Sequence, residues 1–369
     1  MINEDSEQRM SPDHSLAARL QTGSMRIVAP VVKVEEVEVL AEAGANEFYC
    51  GFVPDDWVAR FRAPNLNRRP SGNFRSHAEL EQAVRAAHRH GCSITLALNA
   101  QSYTGEQGDA LLSVVDTFLD MGGDALIVSD LELLAELHVR APSARIHVSS
   151  VATCRNPSAA AFCKELGAAR LILPRDVTLS EACEIAGEAP GLEVEAFILN
   201  DGCIFEEGAC ATLHLPQRLG GPICMENYAN HYKRRGGGHP NETFLDKLRE
   251  NDQEYKKWLW YRFSCGFTTT EAGMPFGPCG LCALPALLNG GIAAVKIAGR
   301  EAPTARKLAS VRMVRSVLDR AEAGESREQV MRFAQELRPS VEHCKTGYMC
   351  YYPEVLGTCS HDLAESAAD

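Results

Sequence analysis

The chain of 369 residues is 45% hydrophobic and 23% charged, the balance of a globular protein with a sizeable core, and its length allows one large α/β domain or two smaller ones. No apolar run approaches the roughly 20 residues needed to cross a bilayer. The polar, acidic opening MINEDSEQRMSPDHS has no apolar stretch of the kind a signal peptide carries. A net charge of −12 weighs against unaided binding of nucleic acid, with a local basic patch at Lys233, Arg234 and Arg235 as the exception.

Residues 1–24 read as a disordered tail, as does the acidic end after Ser360. From Arg26 onward short β-branched runs alternate with amphipathic stretches. RIVAP (26–30) is a strand and 34–44 a helix ending at Gly44. EFYCG (47–51) is the second strand, followed by a helix over 77–91 and the third strand at 93–99. A helix over 107–121 leads to the fourth strand, 124–130. LELLAELHVRA is the next helix, and RIHVSS (145–150) the fifth strand. Helix 156–166 precedes the sixth strand, RLILP (170–174), and helix 179–187 precedes the seventh, 192–200. The pattern then breaks for over ninety residues and resumes with AAVKIAG (293–299) and a helix over 302–322.

Eight strands alternating with helices predict a closed (β/α)8 barrel, with an open doubly wound sheet as the alternative. The barrel spans 25–325, with an insertion over 201–292 between strands seven and eight and an extension over 326–369. In such a barrel the active site lies at the C-terminal ends of the strands. The residues so placed are Cys50, Asn99, Asp130, Ser149, Ser150, Arg175, Asn200, Asp201 and Arg300. The insertion includes an aromatic helix at 254–263, expected to pack in the core.

Fourteen cysteines in a chain without an export signal indicate a cytoplasmic protein with metal or redox chemistry rather than disulfides. Cys50, Cys92, Cys154, Cys163 and Cys183 sit singly in strand or helix patterns and read as small buried hydrophobes. DGCIFEEGAC places Cys203 and Cys210 directly after strand seven, and PCGLC places Cys279 and Cys282 just before strand eight. Neighbouring strands bring the two pairs to one rim, where four thiolates suit an iron–sulfur cluster or tetrahedral zinc. His214 and His239 stand alone and read as structural. The tail CKTGYMCYYPEVLGTC adds Cys344, Cys350 and Cys359, an incomplete ligand set that reads as ordinary apolar packing, with a second metal site or a cover over the first as alternatives.

The segment EAFILNDGCIFEEGAC (195–210) resembles the signature of the U32 peptidase family, the collagenase-like peptidases. Glu195, Phe197, Cys203, Gly208 and Cys210 fall at the family's spacing, while Asn200, Asp201 and Gly202 replace the small residues usual before the first cysteine. NF at 73–74 preceded by Arg68, IHVSSVATCRN, LPRDVTLSE and PALLNGGIAAVKIAGR are similar to further family segments. Val151, Asp176 and Ala298 depart from their patterns. The resemblance implies a barrel-like core and a 4Fe-4S cluster on four cysteines. It assigns Cys203, Cys210, Cys224 and Cys279, with Cys265 and Cys282 as alternates for Cys224, and zinc remains the alternative metal.

It further implies oxygen-independent hydroxylation of a ubiquinone precursor, a tRNA uridine or an rRNA cytidine, with prephenate as hydroxyl source in some members. Arg175 would anchor a carboxylate, Asn99 and Ser149 would orient substrate, and Lys296 would point into the barrel near the cluster. Each has an ordinary structural alternative, such as an ion pair for Arg175 or a snorkelling Lys296. A peptidase using Glu195 and Asp201, and a non-catalytic iron–sulfur partner subunit, are the other readings. The acidic balance favours a small-molecule or peptide substrate over RNA, and a protein partner or homo-oligomer is compatible with the chain.

Overall fold

Alternation along each strand decides how the chain folds. In β7 (Glu193–Leu199) the residues Val194, Ala196 and Ile198 are buried against outer helices, while Glu193, Glu195 and Phe197 make their contacts on the barrel axis. The computed structural model describes residues 24–62, 66–69, 71–203, 206–210, 231–259, 268–269, 275–338, 344, 347 and 349–357. The 1–23 part of the expected N-terminal tail, the acidic end, Cys224, Cys265, Cys359 and His214 lie outside the described residues.

Eight parallel strands close into a barrel in sequence order: β1 (Arg26–Pro30), β2 (Glu47–Gly51), β3 (Ser93–Leu98), β4 (Ala125–Val128), β5 (Arg145–Val148), β6 (Ala168–Ile172), β7 and β8 (Ala294–Ile297), with β8 pairing back onto β1. Closure excludes the open-sheet alternative. The outer ring comprises α1 (Val34–Glu42), α2 (Asp55–Phe61), α3 (His77–Arg89), α4 (Gly105–Asp120), α5 (Leu131–Arg140), α6 (Pro157–Glu165) and α7 (Leu179–Glu188). After β7 come α8 (Glu242–Leu259), α9 (Leu284–Asn289), α10 (Thr304–Glu322) and α11 (Arg327–Leu337). Capping boxes start α4 at Thr104 and Gln107, α7 at Thr178 and Glu181, and α11 at Ser326 and Gln329.

The sequence reading gave no helix at α2 or α11. Residues of the aromatic helix expected at 254–263 belong to the longer α8, where Tyr255 is 48% exposed and Phe244 58%. Its faces carry Asp246, Lys247, Arg249, Glu250, Asp252 and Glu254, which leaves no continuous apolar stripe to bury. Residues 260–263 lie outside the described set. Cys50, Cys92, Cys154 and Cys163 are buried as expected, and Cys183 is half-buried.

The barrel floor is charged where barrels of this architecture ordinarily hold layers of branched aliphatics. Arg170 on β6, 1% exposed, grips Glu47 of β2 with both Nη atoms at 2.5 and 2.8 Å. It also donates to Glu195 at 2.9 Å and to Glu193 through Nε at 2.9 Å. Lys296 of β8 donates to the other oxygen of Glu195 at 2.8 Å, and Arg26 joins Glu47 to Glu193. Burial opposes ionisation of Glu47, yet Arg170 and Arg26 hold its carboxyl below the ordinary value of 4.5. Glu193 is likewise opposed by burial but drawn down to about 2 by Arg170, Arg145 and Arg26. His147 is held neutral by burial and by the same cations.

Removing Arg170 leaves buried carboxylates without their cation, so Arg170→Leu is expected to cost about 3–5 kcal/mol, read by chemical denaturation. Because the folded-state carboxylates titrate low, their stabilisation is complete above pH 4.5 and is lost as the pH falls toward 2. Thermal melts across that window should show the loss, and Glu193→Gln should flatten it.

Candidate active site

The mouth at the strand C-termini is built chiefly from the loops after β2, β6 and β7. Immediately after β7, Asn200 and Asp201 both adopt left-handed backbone, φ 66° and 46°, a conformation uncommon for non-glycine residues and found where a tertiary framework enforces it. The enforcing contacts are specific. Asn200 N donates to Pro278 O at 2.8 Å, its side chain bonds Ser310 and Arg306, and the Tyr351 hydroxyl donates to the carbonyls of both Asn200 and Asp201.

Two arginines converge on this turn. Arg69 reaches the Asp201 carboxylate at 2.5 Å. Arg175 stacks its guanidinium 3.9 Å above the Phe197 ring, donates through Nε to Asp201 O at 3.0 Å and pairs with Glu207. Burial alone would lower the Arg175 pKa, but Glu207 and Asp201 raise it well above the ordinary range. Glu207 also accepts from Ser150 Oγ at 3.0 Å, and its carbonyl accepts from Arg68 at 2.6 Å. Arg300, 6% exposed, lies against Gly51 and donates to Asn67 at 2.8 Å and Asn73 at 3.4 Å; no carboxylate pairs with it among the described residues.

The expected site residues separate into groups. Asn99 Nδ2 donates to Ser149 Oγ at 3.3 Å, and Asn99 Oδ1 accepts from Arg68 N at 3.4 Å, so the pair ties the β3 and β5 ends to the loop carrying Arg68. Arg175 is engaged by Glu207 and Asp201, and an incoming carboxylate would have to displace one of them. Lys296 points into the barrel, 4.1 Å above the Tyr49 ring, and does not snorkel outward. Glu195 and Asp201, the acid–base candidates of a peptidase, are each held in ion pairs.

Cys203 and Cys210 are both half-buried, and the 206–210 segment that ends at Cys210 is pinned on several sides. Glu206 accepts from Gly208 N and Ala209 N at 3.0 and 2.5 Å, Arg155 anchors Glu206, and Gln101 donates to the carbonyls of Gly208 and Cys210. Gly208 has no room for a side chain, since a Cβ there would lie 2.2 Å from Val151 O. Two soft donors thus lie in the chain after β7, a donor type that suits iron–sulfur or zinc, although among the described residues no three ligand side chains are drawn together for a metal. Cys279 pairs through its backbone with Leu199, next to the same turn. Its thiol shares a cavity with Cys282, Cys344 and Cys350, which neither Cys203 nor Cys210 lines. Burial raises the Cys350 thiol to about 12 and also raises Cys282 and Cys344, with Cys279 adding to each.

Sequence reasoning passed over Arg69, Glu207 and Tyr351. Arg69 stood next to Arg68 of the quoted segment, whereas nothing in the tail's pattern tied Tyr351 to the mouth.

A closed parallel barrel whose post-β7 turn carries two cysteines over an arginine-lined mouth defines a class of barrel protein with its chemistry at the rim. The model of peptidase family U32 matches residues 32–358, and the chain belongs to that family. It is 26% identical over 184 residues to "tRNA hydroxylation protein P" of Haemophilus influenzae, covering 50% of this chain and 37% of that protein. It is 29% identical over 136 residues to the "23S rRNA 5-hydroxycytidine C2501 synthase" of Escherichia coli, covering 37% and 20%. The chain therefore spans well under half the length of these curated relatives. Among solved structures, the U32 peptidase Mk0906 matches 48% of this chain and 70% of its own at 17% identity and a TM-score of 0.38. Among the described residues no helix is long and apolar enough to cross a membrane.

Gly208→Ala places a carbon against a backbone oxygen that cannot rotate away. The expected cost is about 1–3 kcal/mol, with faster proteolytic cleavage in the 206–210 turn as the direct readout.

Proposed function

We propose that the protein is an iron–sulfur hydroxylase that adds an oxygen atom to an RNA base. The observation that carries this reading is the pair Cys203 and Cys210 after β7, with the 206–210 segment pinned at the barrel mouth, in a family whose matched relatives are named for tRNA and rRNA hydroxylation. The cluster would be held by Cys203, Cys210, Cys224 and Cys279, with Cys265 and Cys282 as alternates for Cys224. Bound there, it supplies a redox centre or Lewis acid for handling the oxygen donor.

The remaining roles belong to the mouth. Phe197 and Tyr49 carry Arg175 and Lys296 over their rings and, with Tyr351, form a buried aromatic bed beneath the mouth. Arg300 is a buried guanidinium without a carboxylate partner among the described residues, suited to a phosphate or carboxylate of a substrate. On the axis, Arg26, Arg145, Arg170 and Lys296 face Glu47, Glu193 and Glu195. The interior therefore carries an excess cation even though the whole chain is at −12. The relatives' names turn the preference away from the small molecule or peptide that net charge favoured. The peptidase reading loses ground because Glu195 and Asp201 are both committed to cations.

The test is nucleoside mass spectrometry of tRNA and rRNA from cells lacking the gene, complemented by wild type or by Cys203→Ala. Loss of a nucleoside one oxygen heavier than its parent, restored only by wild type, is expected. An unchanged nucleoside profile with gelatin cleavage by aerobically purified, iron-free protein would overturn the reading in favour of a peptidase.

A further inference from the structure

Between β7 and β8 the residues 231–241, HYKRRGGGHPN, lead straight into α8. This stretch carries three cations and no acid, in a chain whose net charge is −12. Lys233, Arg234 and Arg235 are all exposed, and no carboxylate pairs with any of them among the described residues. Three acids of α8 are already engaged. Arg249 reaches Glu242 at 3.5 Å and Asp246 at 2.7 Å, and Asp252 accepts from the Tyr232 hydroxyl at 2.7 Å. The Tyr232 contact ties the basic stretch to the helix, so the two form one arm.

The glycines that follow the cations are a second observation. A Cβ at Gly236, Gly237 or Gly238 would meet nothing within 4 Å, so packing does not call for glycine there. Gly237 and Gly238 take φ of 82° and 84°, and Gly237 N closes a turn onto Arg234 O at 3.1 Å. A backbone free of side chains thus lies beside three cationic groups, open to close approach by a ligand. The helix supplies a third observation. None of the side chains described in α8 is buried, and its most exposed large apolar groups are the rings of Phe244 and Tyr255. Eleven residues make about three turns, so both rings lie on one face. Exposed rings beside unpaired cations suit single-stranded nucleic acid, since the cations neutralise phosphate and the rings stack on unpaired bases.

We propose that residues 231–256 form an RNA-docking arm, in which Lys233, Arg234 and Arg235 hold the phosphate backbone and Phe244 and Tyr255 stack on unpaired bases. The choice of RNA as occupant rests on the hydroxylase reading, and the charge of the arm is complementary to it. A chain at −12 repels a polyanion over most of its surface, and an exposed stretch of unpaired cations is where that repulsion is reversed. The arm is part of the connection that leaves β7 with Cys203 and Cys210 and returns at Cys279, whose backbone pairs with Leu199. Docked RNA and the mouth therefore share one connection. The cations bind without regard to sequence, so the arm contributes affinity, while the choice of base is made elsewhere.

The experiment uses the full chain purified without oxygen, titrated against a fluorescent unmodified tRNA transcript and a fluorescent single-stranded oligoribonucleotide over a range of salt. Lys233→Ala/Arg234→Ala/Arg235→Ala should melt like wild type, since all three side chains are exposed. Its affinity for both RNAs should fall about tenfold or more near 0.1 M salt, and the slope of log Kd against log salt should drop by about two. Phe244→Ala/Tyr255→Ala should bind the single strand about tenfold more weakly with the slope unchanged. A folded triple variant, or a folded aromatic double variant, that binds RNA as tightly as wild type would overturn the arm. So would a triple variant that keeps RNA binding but loses binding to phosphatidylserine vesicles or to polyglutamate, which would assign the patch to a membrane or an acidic protein. RNA binding lost in the triple variant, with an unchanged nucleoside profile in cells lacking the gene, would count against the hydroxylase reading alone. A modified nucleoside restored in full by a triple variant of undiminished RNA affinity would count against the arm alone.

Discussion

The contact between Arg170 and Glu47 spans the barrel rather than following its wall. These residues come from β6 and β2, strands far apart in the closed order, and they meet only because the sheet has closed. Glu195 then links Arg170 to Lys296 on the neighbouring strand, and Glu193 ties in Arg26 and Arg145. An ion network of this kind is weak evidence for raw stability, since each charge loses its water. Its geometric demand is strict, however. A strand slipped by one residue would turn Glu195 or Arg170 outward into the apolar layer beneath the helices. The network thereby fixes the register of the strands whose ends carry the mouth.

The same strand that contributes Glu195 to the floor contributes Phe197 above it and then turns sharply at Asn200 and Asp201. Floor, aromatic shelf and cysteine turn are successive levels of one short segment. Two left-handed residues in succession redirect the chain so that Asp201 receives Arg69 while Glu207 receives Arg175. Both carboxylates are buried and both arginines half-buried, so the turn is held by charge as well as by packing.

Much of this was legible in sequence. The eight strands and most of the outer helices follow from alternation, β-branched runs and terminal glycines, signals that are local. The positions of Asn99, Ser149 and Arg175 at strand ends followed from the barrel count. What each of them touches did not, because their partners Arg68, Glu207 and Asp201 lie on other loops. Helix α8 was read short because its charged faces lack an apolar period, and only the aromatic cluster at its end drew notice. The tail's Cys344, Cys350 and Cys359 read as an incomplete ligand set, and only the backbone bridge from Cys350 to Cys279 shows where part of the tail lies. Pairing across more than sixty residues leaves no periodic trace.

The tail segment also sets an order of events. Tyr351 supplies the hydroxyl that holds the Asn200–Asp201 turn, and Cys350 lies beside Cys279. On a ribosome the eight strands emerge well before residue 351, so a nascent chain can close its barrel while the mouth still lacks its last strut. Assembly of the mouth is then a finishing step, and any cofactor inserted before it would enter a site still open on that side. The strut that Tyr351 supplies is thus one of the last parts of the mouth to leave the ribosome.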